Sequence, residues 1–472
     1  MSQSPLPPPV SGAGRSLPEL SGFLPQRSAG LKLILVCALA LLMAIPALFI
    51  YGIVHERTTG QIEAAAAVSQ GVGGAQALLG PVLAVPFERA PNPQRPALKT
   101  YGIAVAYAED GGADAAVKVE ERRRGLYVVP VFEADVAFTA RFSPDALRSA
   151  IPRDATPLWH EARLYTGVSD TRGIRDAVDV TVNDRNLSME PVDANRSEPG
   201  AFAIAPRASV ALAGAKIEGL ETADKDILVK ARLRLSGAER LAIGPFAKDT
   251  RVHLTSNWPD PSFTGGVMPT SHTSGQSDAG FEADWRVAYL ARGIAGASAD
   301  LDLGEVTSAG QREMAVRFMR EANPYQSVER ALKYCAMFVG LVFLAYFLLE
   351  VMSGARAHPA QYILVGLAQA VFYLLLLAFA ERLGFDPAFA IAATLTVLLT
   401  SAYAMSVFRS ARYGLKALII LSGIYVLLFS LMRAEGFALI AGALASFTAI
   451  GLTMYVTRNI DWYGTRERPA QP

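Results

Sequence analysis

Five histidines, His55, His160, His253, His272 and His358, are the first residues to weigh for metal or acid–base chemistry. No two stand at i, i+4 or another ligand spacing, so a metal would have to gather its ligands from distant segments. The two cysteines, Cys37 and Cys335, lie in or beside apolar runs, and the long stretch between them has none. CxxC zinc sites and an internal disulfide there are thereby excluded. No Gly-x-Ser-x-Gly elbow occurs. Gly71-Val-Gly-Gly74 lacks the Gly-Lys-Ser/Thr ending that a phosphate-cradling loop needs. The expectation is a protein without metal, without cofactor and without a catalytic constellation.

Three weaker groupings remain. Asp170 and Arg172, inside Ser169-Asp-Thr-Arg-Gly173, could form a polar site for a partner, although a turn held by Asp170 explains the same residues. The run Trp258 to Pro269 (WPDPSFTGGVMP) could present Trp258 and Phe263 as an aromatic face to a sugar or peptide; a structured loop packed on a sheet is the blander explanation. Glu350 and Arg356 could pair at a membrane interface.

The elements that would hold these residues separate by solvent. From Tyr334 to Val456 there are 10 charged residues in 123, against 68 in the 279 from His55 to Lys333. The first density suits lipid, where an ionised group is costly, and the second suits water. Six apolar stretches are long enough to cross roughly 30 Å of hydrocarbon: Leu33–Val54, Tyr334–Met352, Ile363–Ala380, Phe389–Phe408, Leu415–Met432 and Phe437–Val456. Pro46 is placed to kink the first. With the N-terminus inside, the cytoplasmic segments carry Arg15, Arg27, Lys32, Arg356, Arg409, Arg412, Lys416, Arg458, Arg466 and Arg468, while the short outer loops carry Arg382 and Arg433. That asymmetry predicts cytoplasmic termini. The domains expected are a disordered tail (1–30), an anchor helix (31–54), an extracytoplasmic, periplasmic domain (55–333), a five-helix membrane bundle (334–456) and a cytoplasmic tail (457–472).

Within the outer domain, strands are expected at Thr100–Ala108, Gly125–Phe142, Ala177–Val182, Ile227–Leu235 and Val252–Ser256. Turns are expected at Asp110–Asp114, Ser169–Gly173 and Asn257–Ser262. Helix is expected over Gly60–Ala77 and Gln311–Glu321. The fold class is therefore membrane α+β: six transmembrane helices and a mainly antiparallel β domain. In the bundle no ionisable group lies near mid-span; Gln369, Thr394, Thr396, Thr400 and Ser422 are the residues that could line a polar path.

Particular motifs resemble the CreD family of bacterial inner membrane proteins, also called cell envelope integrity proteins. They are Asn323-Pro-Tyr-Gln-Ser-Val-Glu-Arg-Ala-Leu-Lys-Tyr334, Phe347-Leu-Leu-Glu-Val351, His358-Pro-Ala-Gln-Tyr362 and Met454-Tyr-Val-Thr-Arg-Asn-Ile-Asp-Trp-Tyr463, with Gly73–Pro81, Arg124–Tyr127, Ser169–Gly173 and Trp258–Pro269 upstream. The resemblance runs from about Leu31 to Tyr463. It implies an inner membrane protein tied to envelope stress and β-lactam response, and it implies no catalytic residues. One departure is Gly436, where the family pattern leads one to expect a second acidic residue beside Glu435.

The expected function is that of a non-enzymatic envelope protein. Its outer domain would bind an envelope protein, glycan or lipid, and its helices would sit in the bilayer. The alternative is a transporter or flippase built on the helix bundle. A net charge of +1 gives no general field for nucleic acid.

Overall fold

The computed structural model describes residues 29–89, 100–125, 127–192, 211–274, 280–293, 296–299, 312–318, 324–433 and 438–458. The expected N-terminal and C-terminal tails and Gly436 lie outside the described residues, except for the few positions at their inner edges. The chain divides into two compact units, one of residues 1–56 with 322–472 and one of residues 57–321.

The first unit is helical. H1 starts as Ala29–Leu42 and resumes as Ala44–Val72, its residues from Arg57 onward belonging to the second unit. The interruption at Met43 is explained by Pro46, whose ring clashes with the carbonyl four residues earlier, that of Leu42, and which offers no N–H to it. H2 (Cys335–Ser353), H3 (Pro359–Leu383), H4 (Phe385–Val407), H5 (Ala411–Arg433) and H6 (Ala438–Thr457) follow. Among the described residues, six helices are thus long and apolar enough to cross a membrane, one near the N-terminus and five near the C-terminus. A short amphipathic helix, Pro324–Lys333, precedes H2. H3 begins on His358, whose Nδ1 accepts from Ala360 N while Gln361 Oε1 accepts from His358 N; a reciprocal cap of this kind is a sharp helix start. The bundle core is aromatic: Phe338 and Phe372 each meet the Tyr425 ring nearly at right angles, at 4.8 and 4.9 Å.

The second unit holds two sheets that share one hydrophobic core. The first sheet is organised on the long strand Gln76–Arg89, which is buried along most of its length. The second runs in the order Ser271–Ser274, Phe281–Val287, Ala247–Ser256, Ala108–Arg124, Tyr127–Phe142, Ile227–Ala238, Asp179–Val182, Arg185–Ser188. Its inward residues alternate with charged ones, as in Ile227–Leu235, where Val229, Ala231 and Leu233 are buried and Lys230, Arg232 and Arg234 exposed. That is the period-2 pattern of a sheet wet on one side.

Most strand pairings are antiparallel, as expected, with two parallel exceptions: Gln76–Leu78 pairs in parallel with Leu241–Ile243, and Ala108–Arg124 pairs in parallel with Ala247–Ser256. Two sequence expectations are corrected. Asp110–Asp114 is no turn but the middle of a strand paired on both sides; satisfying every backbone group outweighs the weak strand preference of its two glycines. The helix expected over Gln311–Glu321 is, in its described middle, the strand Met314–Phe318, paired with Arg240–Ile243 and Pro261–Gly265. Burial of Met314, Val316 and Phe318 in the common core decides this short segment in favour of strand.

Candidate functional site

Where H1 ends and the first strand begins, the chain builds a buried polar joint. H1 stops at Val72, and Gly73 and Gly74 both take positive φ, +98° and +61°. Two residues on stands Gln76, 1% exposed. Its Nε2 donates to Gly73 O (2.8 Å) and Asp170 O (3.0 Å), with Ser236 O at 3.4 Å. Its Oε1 accepts from Ser169 Oγ (3.2 Å) and Asp170 N (3.3 Å). Ser169 Oγ donates to Ala75 O and accepts from Ala77 N, and Ser236 Oγ donates to Val72 O, the last helical residue. One amide therefore ties a helix end, a turn and a strand of each sheet. Gly173 is required by close approach: a Cβ there would lie 2.3 Å from Ser236 O and 2.4 Å from Gln76 Nε2.

Asp170 and Arg172 lie on the rim of this joint. The Asp170 carboxylate accepts from Arg172 Nε (3.0 Å) and Nη2 (2.6 Å), and its Oδ1 also accepts from Arg172 N, capping the one-turn helix Thr171–Gly173. The hydrogen bond from the Arg172 guanidinium holds the Asp170 carboxyl below the usual range. Each is the other's partner, so the geometry is that of a locked turn.

The second grouping lies on the polar face of the eight-stranded sheet. His253 Nδ1 is 2.8 Å from Asp284 Oδ1, and Ser271 Oγ donates to Asp284 Oδ2 at 2.9 Å. His253 Nε2 is 3.7 Å from Glu282 Oε1. The hydrogen bond to Asp284 raises the His253 pKa, helped by the charges of Asp284, Glu282 and Asp114. Hydrogen bonds from His253 and Ser271 lower that of Asp284. Arg251, Arg286 and Gly112 join these residues around an open cleft of ≈ 520 Å³. A neighbouring cleft of ≈ 660 Å³ is lined by Ala116, Lys118, Thr255, Asn257 and Thr273. The serine bonds the aspartate rather than the imidazole, so no activated nucleophile is formed. Among the described residues no group of three or more His, Cys, Asp or Glu is arranged to hold a metal.

Trp258 is 8% exposed, its Nε1 donating to Asp260 O at 3.1 Å and its ring meeting Phe318. It is a core residue and cannot serve as an open binding face. Phe263 is half-buried, its ring against His272, Phe281 and Trp285. Glu350 is 5% exposed, and its partner is Lys32 of H1. Its Oε1 also accepts from Ala357 N (2.8 Å), and its Oε2 from Tyr362 OH (2.8 Å). Lys32 Nζ donates as well to Ala357 O at 3.0 Å. Arg356 is exposed, and the described ion pairs do not join it to Glu350. In the bundle interior Gln369 Oε1 accepts from Tyr425 OH at 2.8 Å; Gln369, Thr396 and Thr400 are 0–3% exposed, whereas Thr394 and Ser422 lie on the outside.

Gln76, Ser236, Asp284 and Lys32 were not singled out from sequence as site residues, and His253 was weighed only as one of the five histidines. Gln76 stood inside the Gly73–Pro81 motif. The others acquire partners from segments 13 or more residues away, and no local spacing reports that.

Six apolar helices with a two-sheet domain between the first and the second define a multi-span membrane protein carrying a large inserted β domain. The chain belongs to the CreD family: the family profile described as "Inner membrane protein CreD" matches residues 28–463. It is 30% identical over 438 residues to the Inner membrane protein CreD of Escherichia coli (strain K12), covering 90% of this chain and 91% of that one.

Proposed function

We propose that this inner membrane protein is a non-enzymatic component of the cell envelope, whose β domain faces the extracytoplasmic side and binds an envelope glycan, lipid or protein. Both termini lie in the cytoplasm. The orientation rests on the excess of Lys and Arg in the segments placed inside, among them Arg409, Arg412 and Lys416 against Arg382 and Arg433 outside. The binding role rests on one observation above the rest: two adjoining open clefts on a single charged sheet face, around His253 and around Thr255. Many charges on that face already answer one another across strands, as Arg232 with Asp135 and Arg286 with Asp249 do. A ligand is then recognised by the clefts between the pairs rather than by net charge.

The test is photo-crosslinking in living cells, with the reactive side chain at Thr273, which is exposed beside the larger cleft. A discrete glycan, lipid or protein adduct, absent when the reactive group is moved to the exposed Arg185 at the far edge of the same sheet, is the expected result. Identical adducts from both positions, or none from Thr273, would remove the support for a binding face.

A further inference from the structure

The turn that joins H4 to H5 carries Arg409, and the start of H5 carries Arg412 and Lys416. All three are exposed. Among the described residues no ion pair gives any of them a carboxylate, and the neighbouring sequence offers none: from Pro387 to Ala434 there is no Asp or Glu. The other end of H5 is different, because Arg433 there is paired with Asp386. Glu350, the buried carboxylate of H2, is already held by Lys32 and Tyr362.

This placement is unfavourable in two ways. Arg412 and Lys416 are four residues apart, so like charges stand side by side on one helix face. Arg409 has a φ of +49°, a left-handed conformation that a long side chain rarely adopts. Such strain persists only where the surroundings impose it, and here they do. H4 and H5 approach so closely that a Cβ on Gly414 would lie 2.7 Å from Met405 Cβ. Tyr413 OH donates to Met352 O at 2.7 Å, which ties the start of H5 to the end of H2. Lys416 Nζ lies 5.0 Å over the Tyr413 ring. Three cations are thus held on a fixed turn without a counter-charge.

The same helix indicates the source of that counter-charge. Leu415 and Ile419 follow on the face of Arg412 and Lys416, 58% and 64% exposed. On a helix long enough to span a bilayer, a face this apolar meets acyl chains. Arg412 precedes Leu415 by three residues, ~4.5 Å along the axis, which lies within the roughly 5–7 Å of headgroup layer outside the hydrocarbon. Lys416 reaches the same layer by extending its stem along the helix. We propose that Arg409, Arg412 and Lys416 bind the phosphate of an anionic phospholipid whose acyl chain runs along H5 past Leu415 and Ile419. Guanidinium groups suit the task, since each can meet a phosphate with two parallel hydrogen bonds. The inference holds for either leaflet and does not depend on which ligand the clefts bind.

The test uses the full chain in lipid nanodiscs of phosphatidylcholine, alone or with a minor share of phosphatidylglycerol, and reads amide hydrogen exchange across residues 408–416. Exchange there should be slower in the mixed discs, while residues 431–433 at the other end of H5 exchange alike in both. Arg412→Gln and Lys416→Gln should each cut the protection on the order of fivefold, as for one cation at an anionic surface. Arg409→Gly should cut it similarly although the backbone strain is eased, which separates lost charge from lost fold. The triple variant Arg409→Gly/Arg412→Gln/Lys416→Gln should exchange equally in both lipids, with unchanged exchange in H2 as the folding control. Inorganic phosphate added to pure phosphatidylcholine discs should not slow exchange. Equal exchange of the wild-type turn in both lipids, full protection in the triple variant, or the same protection from inorganic phosphate alone overturns the proposal.

Discussion

Replacing Gln76 by Leu should loosen the β domain far more than a single polar-to-apolar change at the surface does. The two side chains are similar in size, so the effect isolates hydrogen bonding. Gln76 Nε2 makes two good bonds, to Gly73 O and Asp170 O, and its Oε1 takes two longer ones. Leucine would leave Gly73 O without that donor in a buried site, at ~1–3 kcal/mol. Asp170 O keeps the hydrogen bond from Gly173 N at 3.2 Å, so its loss is nearer the ~0.5–1.5 kcal/mol of an ordinary hydrogen bond. The Oε1 partners are less costly, because Ser169 Oγ keeps its bond to Ala75 O. A total of ~2–4 kcal/mol follows, a sizeable part of the ~5–15 kcal/mol that keeps a domain folded. At ~2–4 °C per kcal/mol for a domain of this size, Tm should fall by roughly 4–16 °C. The assay is thermal unfolding of the full chain in detergent, followed by limited proteolysis within residues 57–321. Gly173→Ala should also be destabilising, by ~1–3 kcal/mol, because Ser236 O is backbone and cannot swing away. A Gln76→Leu variant within ~0.5 kcal/mol of wild type would refute the view that this amide holds the joint together, since that is the range of ordinary surface changes.

Other outcomes follow from the same geometry. Trp258→Ala should cost ~3–5 kcal/mol in a chemical or thermal melt, as a buried aromatic does; unchanged stability would mean that the ring is not part of the core. Glu350→Ala should destabilise the helical unit, because it removes the counter-charge of Lys32 and the acceptor of Tyr362. Lys32 is partly exposed, so the loss should fall below the ~3–5 kcal/mol of a fully buried pair, and Lys32→Met/Glu350→Met should recover much of it; a double-mutant cycle in Tm decides this. For pH, the folded His253 pKa is raised by Asp284, so its stabilising share is complete below about 6.5 and is lost as pH climbs through the folded value. Both partners are well exposed, so solvent screening keeps that share small. Wild type should lose slightly more Tm than His253→Gln between pH 6 and pH 9, and parallel curves would contradict the pairing.

Much of the architecture was legible from residue types. The five C-terminal helices and the first one stand out because hydrocarbon tolerates so few charges, and Ile227–Leu235 reads as a strand because its apolar and charged residues alternate. Pro46 announced an irregularity, although the helix breaks a turn earlier, at Met43, where the proline ring meets the preceding carbonyl. What failed to show was decided by long-range partners. Asp110-Gly-Gly-Ala-Asp114 has turn composition, yet it is clamped between two strands whose own residues lie far away in the chain. Met314–Phe318 is too short for its period to separate strand from helix. Among the candidate site residues, Asp170 and Arg172 found each other because they are near neighbours, whereas Glu350 passed over the adjacent Arg356 for Lys32, more than three hundred residues away. Trp258 looked available because turn formers surround it; the turn in fact folds its ring inward onto Phe318.

The orientation of the β domain carries the rest of the account, and single cysteines tested with a membrane-impermeant thiol reagent on intact spheroplasts measure it directly. With Cys37 and Cys335 replaced, one cysteine is placed at the exposed Arg185 of the eight-stranded sheet and, in a second variant, one at the exposed Arg409 between H4 and H5. The account predicts labelling at 185 in intact spheroplasts and at 409 only after lysis. Labelling at 409 with protection at 185 would contradict it.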